Sequence, residues 1–173
     1  MTSKDIILVP IGFTNQSLVA LQQAVIVAKH TNSDLFLLSV VEMPTALQKI
    51  FSDYEDKQKQ FKEKLRENLL ELSTTYCQNV RNVECMVTSG KIYDEITKVA
   101  DSINANLIVM GTDGTPKDIK KKFIGSNANK VVRSAPCPVI TIKGKTTSNA
   151  CNIIALPLDC LLYTSPSPRD PHW

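Results

Sequence analysis

The sequence predicts an α/β domain built on a parallel sheet of five strands that helices cover on both faces. Short apolar runs alternate with amphipathic helical patterns along residues 4–143, which is the order of a parallel sheet with right-handed crossovers. Several of these runs lack polar residues, as strands buried on both faces require. The composition, 43% hydrophobic and 21% charged, is typical of a globular domain that buries a core.

The first strand and the first helix follow from hydrophobic periodicity. Residues 6–9 are continuously apolar and end at Pro10, as expected of a buried strand that runs into a turn. Apolar side chains recur at helical spacing over residues 17–30, and Asn15 or Ser17 is the expected N-cap of that helix.

A second strand and a long helix come next. Residues 35–41 contain no polar side chain except Ser39, which predicts another buried strand. Residues 53–76 have an apolar stripe at helical spacing and mixed charges on the opposite face, which predicts an amphipathic helix with one solvated side. The stripe contains Phe61, Leu65, Leu69, Leu72 and Tyr76.

The second half of the domain continues the alternation. Residues 83–88 alternate apolar and polar side chains, as in a strand near the edge of a sheet. Residues 91–103 predict an amphipathic helix, and residues 107–110 predict a strongly apolar strand. After a loop that contains glycines, residues 126–134 predict a helix, and residues 139–142 predict the last strand, at the edge of the sheet.

The expected ligand site lies beyond the carboxyl ends of the strands, as in other open parallel sheets. In this sequence those ends are residues 10–13, 40–42 and 110–114. Gly111 and Gly114 follow one strand directly, and Gly125 precedes the helix that begins at Ser126. Glycines permit close approach of the backbone, and N–H groups at a helix start donate hydrogen bonds to phosphate oxygens, so the pattern predicts a phosphate cradle. Ordinary turn formation is the alternative explanation.

Charge and cysteine usage exclude several classes of function. The 20 basic and 17 acidic side chains leave a net charge of +3, which is too balanced for a nucleic-acid or anionic membrane surface. No apolar stretch is long enough to span a bilayer and the amino terminus lacks a signal-peptide pattern, so a cytoplasmic location is expected. The five cysteines have no metal-like spacing and are expected to be free thiols. No catalytic or metal-binding cluster is predicted.

Four passages resemble the universal stress protein (UspA) family: DIILVPIGFTNQS, LFLLSVVE, LIVMGTDG and IGSNANKVVRSAPCPVITI. The resemblance extends over nearly all of residues 4–143 and implies a Rossmann-like fold. It implies an adenine nucleotide, ATP, bound for regulation of a stress response and without designed catalysis. It also implies pairing through the last strand, either with a second copy in the same chain or in a homodimer.

The resemblance also implies which residues contact the nucleotide. Val40 would line the adenine pocket, Met110 and Gly111 would border the ribose, and Ser126 and Asn127 would hold phosphate. The remaining carried-over positions are Pro10, Ile11 and Gly12 after the first strand, and Gly114 and Gly125 in the phosphate loop.

Two departures from the family pattern keep other functions open. Gly12 stands where nucleotide-binding members carry an acidic residue that contacts the adenosine. The loop between Gly114 and Gly125 has ten residues, one more than the family signature G-x2-G-x9-G-[S/T]. The alternatives are a UspA half that binds no nucleotide and serves as a dimerisation or interaction module, and a slow ATPase.

The chain is expected to contain more than the UspA domain of residues 1–143. The polar residues 144–150 predict a linker. Residues 151–159, CNIIALPLD, resemble the amino-terminal KDIILVPIG, which predicts the first strand of a truncated second copy that carries the acid at Asp159. Residues 160–173 contain CLLYTSPSPRD, which looks like the translation of a transposase adapter used in DNA library preparation and is left out of the fold.

Overall fold

A five-stranded, all-parallel sheet lies at the centre of the computed structural model, which describes residues 5–42, 54–112 and 126–144. The strands are β1 (Ile6–Pro10), β2 (Asp34–Val41), β3 (Val83–Ser89), β4 (Leu107–Gly111) and β5 (Val139–Ile142). The helices are α1 (Asn15–Thr31), α2 (Tyr54–Tyr76), α3 (Ile92–Ser102) and α4 (Ser126–Ser134). The spatial order is β3-β2-β1-β4-β5. The predicted fold class and element order are confirmed.

Two core layers lie on opposite faces of the sheet because side chains alternate along each strand. One layer packs beneath α1 and α2 and contains Ile7, Val9, Leu35, Leu37, Ala24 and Leu69. The other layer packs beneath α3 and α4 and contains Leu8, Phe36, Leu38, Ile108, Ile96 and Val131. The central strands are therefore covered on both faces, which explains why their sequences are continuously apolar.

The N-cap of α1 is Thr14, so the predicted caps Asn15 and Ser17 are wrong. The Ser17 N–H donates to Thr14 Oγ1 at 3.2 Å, and the Thr14 N–H donates to Ser17 Oγ at 3.0 Å. This reciprocal pair is a capping box. The helix already begins at Asn15, and Ser17 occupies its third position, where its hydroxyl pairs with the residue that precedes the helix.

Thr14→Ala is expected to lower the free energy of unfolding by about 1 kcal/mol, because the Ser17 N–H loses its acceptor. Urea denaturation of the full chain, followed by circular dichroism, measures this loss. Asn15→Ala is the matched control, since Asn15 is exposed and its replacement is expected to cost less than about 0.5 kcal/mol. Equal losses in the two variants would contradict the assignment of the cap.

The apolar stripe of α2 is buried only in its carboxyl-terminal part. Leu69 is fully buried, Leu72 and Tyr76 pack against the same core layer, and Leu65 is half-buried. Phe61, expected in the stripe, is 49% exposed. Within the described side chains of α2, the stripe is therefore turned toward the core only from Leu65 onward.

The edge strands of the sheet are β3 and β5, as the sequence predicts. Each presents one large exposed apolar side chain, Met86 on β3 and Ile140 on β5. Among the described residues, β5 pairs with β4 alone. Its outer backbone edge is therefore open for pairing with another strand.

Several predicted features lie outside the described residues. They are Gly114 and Gly125, most of the predicted linker, the predicted strand of residues 151–159 and the tail of residues 160–173. Within the described ranges, no helix has the combination of length and apolar composition that a membrane crossing needs.

Candidate functional site

A cavity of about 140 Å³ lies at the carboxyl ends of β1, β2 and β4, beside the first turn of α4. Among the described residues, its lining consists of Pro10, Ile11, Gly12, Ser17, Leu38, Val40, Met110, Gly111, Ser126, Asn127 and Ala128. The position agrees with the general rule for open parallel sheets. Their ligands bind between two neighbouring strands whose following connections run to opposite faces of the sheet. In this sheet those neighbours are β1 and β4 at its centre.

The turn after β1 forms one side of the cavity. The Ile11 N–H donates to the Leu38 carbonyl at 2.7 Å, so the pairing with β2 continues beyond the end of β1. Gly12 follows and is exposed. A Cβ atom on Gly12 would meet no heavy atom within 4 Å. The wall of the cavity therefore has open space at the position where the sequence lacks the family's acidic residue.

The end of β4 forms the opposite side and lies in close contact with α1. A Cβ atom on Gly111 would stand 2.5 Å from the Gln16 carbonyl carbon and oxygen and 2.8 Å from the Ser17 nitrogen. No side chain fits there, so Gly111 allows β4 to approach the first turn of α1. The next residue, Thr112, donates its N–H to the Ile142 carbonyl at 2.9 Å, which fixes the end of β4 against β5.

The first turn of α4 completes the described lining. Ala128 and Val131 are buried and hold the helix against the sheet. Ser126 and Asn127 precede these anchors and border the cavity. The first amides of a helix have no partner within the helix, and they form its positive end. This end of α4 is suited to an anionic group of a ligand.

The described lining carries no ionisable side chain. It offers apolar surface from residues such as Leu38, Val40 and Met110, the hydroxyl of Ser126 and the carboxamide of Asn127. The Ser17 hydroxyl is already engaged, because it donates to the Thr14 carbonyl at 2.9 Å and accepts from the Thr14 N–H. A ligand would be recognised there through apolar contact, hydrogen bonds and the positive end of α4. In the part of the chain that the structure covers, no group of three or more His, Cys, Asp or Glu side chains is arranged to hold a metal ion.

The cysteines within the described ranges lie away from this lining and are free thiols. Burial, and to a lesser extent the nearby Cys85, raise the pKa of the Cys77 thiol to about 11. Burial also raises the pKa of Cys85 and of Cys137. These thiols are therefore protonated at neutral pH, which makes them poor nucleophiles and poor metal ligands.

The structure brings most of the predicted site residues together. Every predicted contact residue within the described ranges lines the cavity: Pro10, Ile11, Gly12, Val40, Met110, Gly111, Ser126 and Asn127. Gly114 and Gly125 lie outside those ranges. Sequence reasoning missed Ser17, Leu38 and Ala128. Leu38 stands in a uniformly apolar run, so periodicity does not show which face it occupies, and Ser17 was assigned a capping role instead.

A sequence model of the Universal stress protein family matches residues 4–143. A protein of Staphylococcus aureus (strain USA300), described as a universal stress protein, is 31% identical over 143 residues, which cover 79% of this chain and 82% of that protein. The solved structure of UspA from Lactobacillus plantarum aligns with a TM-score of 0.64 and 25% identity, over 83% of this chain and 100% of that one.

Two further solved structures share the fold at lower identity and contain nucleotides. One is a universal stress protein in complex with cAMP, with a TM-score of 0.61 and 17% identity over 82% of this chain and 99% of that one. The other is the universal stress protein from Archaeoglobus fulgidus in complex with dAMP, with a TM-score of 0.53 and 18% identity over 83% of this chain and 100% of that one.

Proposed function

The chain belongs to the universal stress protein family, and from that premise we propose that its cavity binds an adenine nucleotide, with ATP as the expected ligand. The observation that most supports this proposal is the convergence of the carried-over residues, since all of those in the described ranges line one cavity. Occupancy by the nucleotide would regulate a cytoplasmic stress response.

The chemistry of the lining supports a nucleotide in a particular orientation. Val40 offers apolar surface for the base, Met110 and Gly111 would border the ribose, and the first turn of α4 offers free amides and a positive end for phosphate. Ser126 and Asn127 add polar groups at the same place. The complexes of structurally similar family members with cAMP and dAMP support adenine as the base.

Regulation by binding fits this lining better than catalysis does. Hydrolysis of ATP needs a group that activates water or stabilises developing charge. The described lining offers only hydroxyls, a carboxamide and backbone groups. A slow ATPase is the competing function. Release of inorganic phosphate by the full chain mixed with stoichiometric ATP distinguishes the two, because a regulatory binder keeps the nucleotide intact for many hours.

Titration calorimetry of the full chain tests the proposed ligand. ATP and cAMP are expected to bind, and CTP is expected to bind more weakly, because a pyrimidine offers less apolar surface to Val40. Val40→Trp is expected to abolish binding by filling the cavity. Val132→Trp is the control, since Val132 is exposed on α4 and is not part of the cavity lining. No binding of any adenine nucleotide by the folded wild-type chain would overturn the proposal.

The second candidate function is an interaction module, and the open edge of β5 favours it. Ile140 is 41% exposed on this edge, whereas Val139 packs against the core layer beneath α3 and α4. We propose that the edge pairs with the same strand of another UspA copy in a symmetric arrangement. Such pairing satisfies the outer backbone groups of β5 and covers Ile140.

Ile140→Lys is expected to weaken self-association of the full chain by about tenfold, because a desolvated ammonium would oppose strand pairing. Sedimentation velocity over a concentration series measures the effect. Met86→Lys is the matched control, since Met86 is similarly exposed, at 39%, on the opposite edge strand. A wild-type chain that remains monomeric, or a dimer that only Met86→Lys weakens, would contradict pairing through β5.

A further inference from the structure

Gly12 differs from the other described glycines, because the fold itself does not require a glycine there. Gly90 and Gly144 have positive φ angles, and Gly111 has no room for a Cβ atom against the backbone of Gln16. Gly12 has neither constraint, since its φ is not positive and a Cβ atom would meet no heavy atom within 4 Å. Gly12 also lines the cavity and is exposed, so the open space beside it is available to a ligand.

The order of the strands indicates which part of a nucleotide lies beside Gly12. In the proposed orientation, the base lies against Val40 of β2, and the phosphate lies at the first turn of α4, the helix that follows β4. The strand between β2 and β4 is β1. A ribose that joins the base to the phosphate therefore lies over the carboxyl end of β1, where the turn of residues 10–12 forms the cavity wall.

The charge of the described lining suits a ribose that carries a phosphate of its own. Two like charges repel each other strongly at a separation of about 4 Å, but the described lining has no ionisable side chain and therefore no carboxylate. Burial of a charged group is costly. The exposure of Gly12 lowers this cost, because a phosphate beside it would keep part of its hydration.

We propose that the cavity accepts adenine nucleotides whose ribose carries an additional phosphate on its 2′ or 3′ oxygen, and that Gly12 determines this specificity. This inference rests on the proposed function, because it names the ligand class of the same site. In parallel sheets that bind dinucleotides, an acidic side chain accepts a hydrogen bond from the unmodified ribose hydroxyl. Gly12 has no side chain that would bind this hydroxyl or repel a phosphate in its place.

Titration calorimetry of the full chain compares AMP with adenosine 2′,5′-bisphosphate and adenosine 3′,5′-bisphosphate, and ATP is titrated in parallel. Each bisphosphate differs from AMP only by the phosphate on the ribose. At least one of them is expected to bind wild type with an affinity within about threefold of that of AMP. The better-bound isomer identifies the ribose oxygen that faces Gly12.

Gly12→Asp tests whether position 12 decides this specificity. The introduced carboxylate is expected to weaken binding of the better-bound bisphosphate by about tenfold relative to AMP, because it repels the phosphate on the ribose. Gly12→Asn is the matched control, since it has nearly the same size without the charge and is expected to change this ratio by less than about threefold. Circular dichroism checks that both variants fold, as the open space and the backbone conformation at Gly12 predict.

The outcomes distinguish this inference from the proposed function. If wild type binds ATP but binds both bisphosphates more than about tenfold more weakly than AMP, or not at all, the inference is overturned while the proposed function stands. It is also overturned if Gly12→Asp leaves the ratio unchanged, or if Gly12→Asn lowers it as much as Gly12→Asp does, because charge at position 12 would then not decide the specificity. If folded wild type binds no adenine nucleotide, the proposed function fails and this inference fails with it.

Discussion

Gly111→Ala is expected to lower the free energy of unfolding by about 3 kcal/mol, at the upper end of the usual cost of overpacking. A Cβ atom at this position would lie 2.5 Å from the backbone of Gln16. Backbone atoms cannot rotate away as a side chain can, so β4 and α1 would have to separate. The first turn of α1 resists such movement, because the capping box of Thr14 and Ser17 holds it.

A second contact restrains the same turn of α1. The Gly144 N–H donates to Gln16 Oε1 at 3.0 Å, and Gln16 Nε2 donates to the Gly144 carbonyl at 3.5 Å. Separation of β4 from α1 would strain these hydrogen bonds between α1 and the residues after β5. Nucleotide affinity is expected to fall together with stability in Gly111→Ala, because both Gly111 and Ser17 line the cavity.

Chemical denaturation in urea measures the loss of stability. Gly12→Ala is the matched control, since a Cβ atom there would meet nothing within 4 Å, and it is expected to change stability by less than about 1 kcal/mol. A Gly111→Ala protein whose stability falls by no more than that of the control would show that β4 and α1 tolerate a methyl group between them. It would then remove the packing explanation for Gly111.

Gly12→Asp is expected to increase the affinity for ATP by about ten- to a hundredfold. A hydrogen bond to a charged group contributes on the order of 1.5–3 kcal/mol, and each 1.4 kcal/mol corresponds to about a factor of ten. The resemblance to nucleotide-binding members implies that an acid at this position would contact the adenosine. The open space around the Gly12 Cβ position leaves room for the introduced side chain at the cavity wall.

Calorimetric titrations with ATP at neutral and acidic pH test this expectation. Gly12→Asn is the control, because it has the same shape without the charge and is expected to recover only part of the gain. The gain in ATP affinity that Gly12→Asp produces should be fully present at pH values above the ordinary carboxyl pKa of about 3.9. It should decrease as the pH falls through that value, because the carboxylate becomes protonated. Affinity equal to or weaker than wild type would show that one carboxylate does not restore the family's contact.

Hydrophobic patterning alone predicted the fold and placed the expected site at the carboxyl ends of the strands, whereas the individual contact residues came from the family resemblance. Continuous apolar runs and helical stripes predicted each helix and strand within the described ranges, and the weaker alternation of residues 83–88 predicted an edge strand. Most of the described residues carried over from the family lie at or just after the carboxyl ends of strands, and those ends meet at one edge of a parallel sheet. Their convergence on one cavity therefore follows from the order of the elements, because that order decides which strand ends are neighbours.

Only the tertiary structure decided which atoms approach one another. The need for glycine at position 111 comes from the backbone of Gln16, a residue of another element. The 49% exposure of Phe61, a member of the predicted apolar stripe, depends on which part of α2 the rest of the domain covers. Periodicity specifies the face of a helix or strand on which a side chain lies. The distance between two backbones, and how far a helix is covered, depend on how the elements pack in three dimensions.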